Sequence, residues 1–262
     1  MHLMIEGQPV SFSESGAGVP LVLIHGYPLS KAMWEPQLHG LAHTAQVLAL
    51  DLWGFGDSAP AAETTMAAYA DEVRELMDER HISQAVLCGL SMGGYIVFEF
   101  CRRYPDRVTG VILANTKAGP DSSEGKAGRD QSALLAREKG VDAIIAGMLP
   151  KLLSPKAYQN NPALVEQARE IMRMATVAGI VGALRAMRDR PDSTPTLSAI
   201  DCPALVIGGT DDQLFPKSEF DKMAQGLPKG QLVMLPDAGH LSNLEQPDLF
   251  NRAVQDFLKD LA

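Results

Sequence analysis

Short, unbroken apolar runs recur along the chain at residues 21–25, 47–50, 85–88, 108–114, 204–207 and 232–235. Runs this short and this continuous fit strands buried on both faces, as in a parallel sheet sandwiched between helices. Ahead of them, residues 2–6 and 8–12 alternate polar and apolar about Gly7-Gln8, which predicts an edge hairpin. Between the runs the period changes. Met66, Tyr69, Val73, Leu76 and Met77 form one stripe behind a Thr64-Thr65 cap, and Phe250, Val254, Phe257, Leu258 and Leu261 form another. Strands alternating with amphipathic helices predict an α/β sheet with helices on both faces.

The alternation stops at about residue 117 and resumes at 199. Within that stretch Leu164, Ala168, Ile171, Met172 and Ala175 fall at helical spacing. Turn-forming residues at 119–123, prolines at 150, 155 and 162, and the stretch 191–195 punctuate it. The expected organisation is a core of residues 1–116 and 199–262, with a helical cap at 117–198 inserted after the sixth strand. Such insertions commonly cover the ligand crevice of a doubly wound sheet. The alternative is that these helices extend the core, with Met148, Met172, Met174 and Met187 as packing filler.

Composition narrows the classes. A length of 262 residues suits one large domain, and 46% apolar with 21% charged residues is ordinary for a globular chain. The net charge of −9, without any long Lys or Arg run, argues against nucleic acid as a partner. The first six residues lack a basic and apolar leader, and no stretch approaches a membrane span, so a cytoplasmic protein without membrane attachment is expected. Cys88, Cys101 and Cys202 are scattered, and His25, His39 and His43 have no Cys or carboxylate at ligand spacing. Neither metal nor cofactor is expected, and a homo-oligomer is compatible with the sequence.

The chemistry centres on Gly89-Leu90-Ser91-Met92-Gly93, a G-x-S-x-G run directly after the strand at 85–88 and before a helix read over 95–104, stopped by Pro105. Small residues two before and two after the serine let neighbouring backbone pass and leave Oγ exposed at the strand end. Composition alone would give about 0.1 such matches, before a flanking strand and helix are required. The plainer role for a serine at a strand-to-helix junction is an N-cap. Against it, partners for nucleophilic chemistry follow in the order Ser, Asp, His, each after a strand end. The base is His240, in the turn after 232–235, with His81 a weaker rival at a helix end. The acid lies after 204–207, where Asp211 and Asp212 compete and the unused one would cap the turn. An acid after 108–114 is ruled out, because Asn115 and Thr116 stand there. Oxyanion donors are expected from the backbone N–H groups of Met92, at the helix start, and Tyr27, in His25-Gly26-Tyr27-Pro28.

Over nearly its whole length, more weakly through the insertion, the chain resembles the α/β-hydrolase family. The resemblance rests on residues 25–28, on Asp51-Leu-Trp-Gly-Phe-Gly-Asp-Ser58, on residues 89–94 and on Gly239-His240. It implies the acid three after a glycine and four before a proline, which fits Gly209, Asp212 and Pro216 and selects Asp212 over Asp211. It also implies that residues 51–58 form a structural loop at the site's edge, which leaves Asp57 without a catalytic role. Haloalkane dehalogenases and epoxide hydrolases resemble this pattern but carry Asp where Ser91 stands.

What remains is similar to small bacterial carboxylesterases, arylesterases, 3-oxoadipate enol-lactonases and cofactor-free perhydrolases. The resemblance implies a serine hydrolase using Ser91, Asp212 and His240, acting on a small-molecule ester through an acyl-enzyme. Short acyl or aryl esters are the first expectation, since no basic cluster is evident in the sequence to recognise a carboxylate. An enol-lactonase would need one, and Arg129, Arg169, Arg173 and Arg185 are the candidates. Perhydrolysis would be a side activity. A non-catalytic ligand-binding module on the same fold is the alternative from another class.

Overall fold

The computed structural model describes residues 1–5, 7–60 and 64–261. Eight strands form a sheet in the order β1-β2-β4-β3-β5-β6-β7-β8. They are β1 (His2–Ile5), β2 (Gln8–Ser15), β3 (Val19–Ile24), β4 (Ala45–Leu50), β5 (Ala85–Leu90), β6 (Val108–Ala114), β7 (Ala204–Gly209) and β8 (Gly230–Leu235). Only the β1–β2 and β2–β4 pairs are antiparallel; the other five are parallel. Every expected strand is present, and the hairpin forms the edge. Glu6, read into the first strand, lies outside the described residues. Gln8, expected at the joint, instead pairs with Ile5 as the first residue of β2, and Gly7 sits at φ 76°.

The parallel strands send alternate side chains into two cores. Val22, Ile24, Leu87, Val111 and Leu113 enter one, and Leu21, Leu23, Val86, Cys88 and Ile112 the other. That is why their sequences read as solid apolar runs. Helices α1 (Glu35–Gly40), α2 (Met66–Glu79) and α3 (Met92–Arg103) follow β3, β4 and β5. All five residues of the first predicted stripe are buried on α2, and Thr65 caps that helix by accepting from Ala68 N at 3.0 Å. Helix α3 begins three residues before the predicted 95–104.

Between β6 and β7 run α4 (Ser123–Lys139), α5 (Val141–Leu152), α6 (Pro155–Asn160), α7 (Pro162–Arg173), α8 (Val177–Asp189) and α9 (Thr194–Leu197). Helix α4 packs on α8 and α5 on α7. This segment is tied to the sheet's loops at several points. Thr176 donates from N and Oγ1 to Gly54 O at 2.9 and 3.0 Å, and Leu241 N donates to Leu152 O at 3.0 Å, while Ser193 N to Ala118 O at 3.0 Å closes the segment's own two ends. Helices α10 (Lys217–Gly226), α11 (Ser242–Glu245) and α12 (Pro247–Lys259) complete the chain. Among the described residues no helix is long and apolar enough to cross a membrane.

Candidate active site

Strand β5 ends in a sharp elbow. Ser91 sits at φ 55° and ψ −111°, a left-handed conformation that a non-glycine residue holds only when its surroundings enforce it. Three hydrogen bonds do so: Ser91 N to Ala114 O at 2.9 Å, Gly94 N to Ser91 O at 3.0 Å, and Thr116 Oγ1 to Ser91 O at 2.8 Å. The flanking glycines are sterically obligatory. A Cβ on Gly89 would stand 2.2 Å from Gly93 O, and one on Gly93 would stand 2.2 Å from Ile24 O. Ser91 occupies the N-cap position of α3, yet its side chain makes no capping bond, so the plainer role for this serine is not the one it plays.

His240 and Asp212 meet across loops that follow β8 and β7. His240 Nδ1–H donates to Asp212 Oδ2 at 2.9 Å, with both side chains nearly inaccessible. The same Oδ2 accepts from Asn115 Nδ2 at 3.0 Å, while Oδ1 accepts from Leu214 N at 2.8 Å and Phe215 N at 3.1 Å. Burial pushes the Asp212 carboxyl up, but the His240 charge and the bonds from His240, Asn115 and Leu214 outweigh it and hold the group below the usual carboxylate range. Asp211 is exposed, and no hydrogen bond reaches its side chain among the described residues. The turn-capping job expected of the unused aspartate is therefore done by Asp212 itself.

His240 Nε2 is buried and has no hydrogen-bond partner among the described residues; no bond joins it to Ser91 Oγ. The Phe215 ring packs edge-on against the imidazole at 5.4 Å. The backbone N–H groups of Tyr27 and Met92 are likewise without hydrogen-bond acceptors among the described residues. Gly26 places the Tyr27 loop against the elbow, since a Cβ there would stand 3.4 Å from Ser91 Cβ.

Two residues that support this arrangement escaped the sequence reading. Asn115, at the end of β6, bonds Asp212 and also donates to Gly239 O at 3.2 Å, while Ser242 Oγ–H donates to its Oδ1. A carboxamide at the strand end where an acid was sought was the available signal: it can donate to a carboxylate supplied elsewhere. Glu245 accepts from Gly239 N at 2.8 Å and Ser154 N at 2.9 Å, fastening the His240 turn to the helical segment. Burial raises its carboxyl above the usual range despite those bonds.

The loop at residues 51–58 is structural in its bonding. Asp51 is fully buried and accepts from Lys31 N at 2.7 Å, Lys31 Nζ at 2.5 Å and Asp57 N at 2.9 Å. Lys31 Nζ also reaches Asp57 at 3.0 Å. His25 bridges the neighbouring loops. Its Nε2 accepts from Leu52 N at 3.0 Å, so Nδ1 carries the proton and donates to Gly26 O at 2.9 Å. Burial drives this imidazole down to about 4, although the Gly26 carbonyl and Asp51 act the other way.

A cavity of about 370 Å³ lies between the helical segment and these loops. Tyr27 and Leu214 line it from the sheet side, and Gly128, Arg129, Gly147 and Lys151 from α4 and α5. Three cations converge on the Asp121 carboxylate in the cavity wall. Arg129 Nε meets Asp121 at 3.0 Å, Arg190 meets it at 2.9 Å, and Lys117 lies 3.8 Å away. Of the other candidate arginines, Arg169 pairs with Glu166, Arg173 with exposed acids, and Arg185 lines a different cavity. Among the described residues no group of three or more His, Cys, Asp or Glu could hold a metal ion.

Comparison with known proteins is consistent along the chain. A family model described as the alpha/beta hydrolase fold matches residues 19–247. A thermophilic esterase from Thermogutta terrifontis, solved with malate bound, is 37% identical, superposes with a TM-score of 0.97, and is matched over 100% of this chain and 99% of its own. An enol-lactonase from Burkholderia xenovorans is 30% identical with a TM-score of 0.91, over 99% of this chain and 100% of its own. A 3-oxoadipate enol-lactonase from Acinetobacter baylyi is 28% identical over 91% of this chain and 88% of its own.

Proposed function

The chain belongs to the α/β-hydrolase family, and from that premise we propose that it is a serine hydrolase cleaving small carboxylic esters through an acyl-enzyme on Ser91. The observation that carries this reading is the state of His240. One ring nitrogen is fixed on Asp212 at 2.9 Å, and the other is buried and without a partner among the described residues, while the elbow presents an uncapped serine hydroxyl.

The chemistry follows from those atoms. His240 Nε2 takes the Ser91 proton as Oγ attacks the ester carbonyl. The oxyanion accepts from the N–H groups of Tyr27 and Met92, each worth about 10² to 10³ in rate. Asp212, held ionised by its hydrogen bonds, steadies the imidazolium. That imidazolium protonates the departing alkoxide, leaving acyl-Ser91. A water deprotonated by His240 then attacks the acyl carbon, and Oγ leaves with the returned proton, releasing the acid. Residues 117–198 act as a cap that supplies one wall of the substrate cavity.

Hydrolysis of a panel of p-nitrophenyl esters tests the mechanism. Ser91→Ala is expected to lower kcat by about 10⁴-fold or more and to abolish labelling by a fluorophosphonate. Near-wild-type turnover in that variant would sink the reading. Lactones belong in the same panel. They are the second substrate class, favoured by the cations around the cavity and by the enol-lactonase relatives.

A further inference from the structure

The cavity beside Tyr27 is built at a cost that packing does not explain. Gly128 lies inside α4 and Gly147 inside α5, where glycine is about 1 kcal/mol worse than alanine. Neither has positive φ, and a Cβ on either would meet nothing within 4 Å. Both line the cavity. Both are exposed, so close approach of backbone does not require these glycines, and each leaves its stretch of the cavity wall without a side chain.

The charge around that volume is mixed but unbalanced: Arg129, Lys151 and the Asp121 carboxylate line it, and Lys117 and Arg190 stand behind Asp121. Lys117, Arg129 and Arg190 all face the carboxylate of Asp121, and among the described residues none of the three has another ion-pair partner. Arg190 donates to the Met187 and Gly119 carbonyls and lies on the Tyr95 ring at 4.1 Å, with its Nε buried and without a partner among the described residues. Arg129 instead gives Asp121 only Nε, at 3.0 Å, which leaves its two terminal nitrogens without partners among the described residues. Lys151, exposed at the rim, has no ion-pair partner among them either. In a chain of net charge −9, this is a local excess of positive charge.

The cluster is electrically connected to the reacting end. Tyr27 is 4% exposed and lines the cavity, its hydroxyl lacks a hydrogen-bond partner among the described residues, and the Arg129 charge acts on that phenol. On the far side, Lys117 Nζ lies 5.9 Å above the Phe215 ring, which itself packs on His240.

We propose that this cavity is a subsite for a carboxylate carried by the substrate, with Arg129 as its fork-shaped partner and Lys151 at its entrance, so that the preferred substrates are anionic esters. The proposal rests on the ester-hydrolase reading and specifies its substrate class. A carboxylate meets two parallel guanidinium N–H groups in a geometry that an ammonium cannot match.

The test compares ethyl hydrogen adipate, with the carboxylate on the acyl side, and 5-acetoxypentanoate, with it on the alcohol side, each against a neutral ester of equal length. Wild type is expected to favour at least one anionic ester in kcat/KM by about tenfold at low ionic strength, with the preference shrinking as salt is added. Arg129→Gln should reduce that preference about tenfold through KM, and Arg129→Lys should restore part of it. No preference in wild type, or one indifferent to both salt and Arg129→Gln, would overturn the subsite. The wild-type arms need no variant to fold. Loss of all ester turnover in wild type would instead indict the Ser91 mechanism, so the two failures are told apart.

Discussion

Two sets of glycines separate the elbow from the helices above it. At the elbow, Gly89 and Gly93 are crowded to 2.2 Å by carbonyl oxygens, whereas Gly128 and Gly147 in α4 and α5 face open space. The same residue type marks a fixed point in one region and a spacious wall in the other. Around Ser91 the positions of backbone atoms are dictated to fractions of an ångström, as a site with directed hydrogen bonds requires. In the helical segment the side chains set volume and charge, and neither depends on such exact placement.

Crowding at the elbow predicts the largest effect. Gly93→Ala forces a Cβ against Ile24 O and should destabilise the fold by about 4 kcal/mol or more, read as a collapse of the thermal midpoint with loss of ester hydrolysis. A variant that melts like wild type would erase the distinction between the two regions.

Next comes His25, which braces the Tyr27 loop. The unfolded chain binds this proton near the ordinary value of 6.5 and the folded chain only near 4. Above about 6.5 its contribution is complete; between 6.5 and 4 the unfolded state binds more protons and stability falls with falling pH, by about 3 kcal/mol in all. Urea midpoints measured from pH 7.5 to 4 should show this slope, and His25→Asn should flatten it.

Asn115→Ala removes one of the donors on Asp212 and a tether on the His240 turn. We expect kcat to drop by up to about 10²-fold with KM little changed. Equal losses in binding would place Asn115 with the substrate instead.

Smallest is Gly147→Ala, which should raise stability by about 0.5 to 1 kcal/mol because its Cβ meets nothing and the helix gains propensity. Its cost should appear in turnover of the longer anionic esters.

The same contrast explains what could be read in the sequence. The eight strands, the elbow and the two loops bearing Asp212 and His240 leave local signatures: apolar runs, a spaced pair of glycines, turn residues after strand ends. Choosing Asp212 over Asp211 needed the family resemblance, because adjacent aspartates in one turn carry no local mark of which way each points. The start of α3 was read late because Gly93-Gly94 weakens its helical pattern. Asn115 and Glu245 stayed hidden because their bonds span long separations, 97 residues from Asn115 to Asp212 and 91 from Ser154 to Glu245. In the cation cluster only Arg190 comes from a distance, since Lys117, Asp121 and Arg129 are close in sequence. It joins them when α4 and α8 pack together and return the chain towards the end of β6.

The seams of the helical segment have a practical meaning. At Gly54 and Leu152 they are closed by main-chain carbonyls, and side chains add Glu245 on Ser154 N, Gln213 on Leu153 O and Lys156 on Asp237. Docking written partly in backbone atoms is indifferent to many of the side chains it carries. A differently lined copy of the segment from α4 to α8 could be spliced in provided it keeps those few side-chain ties, with the elbow beneath left untouched.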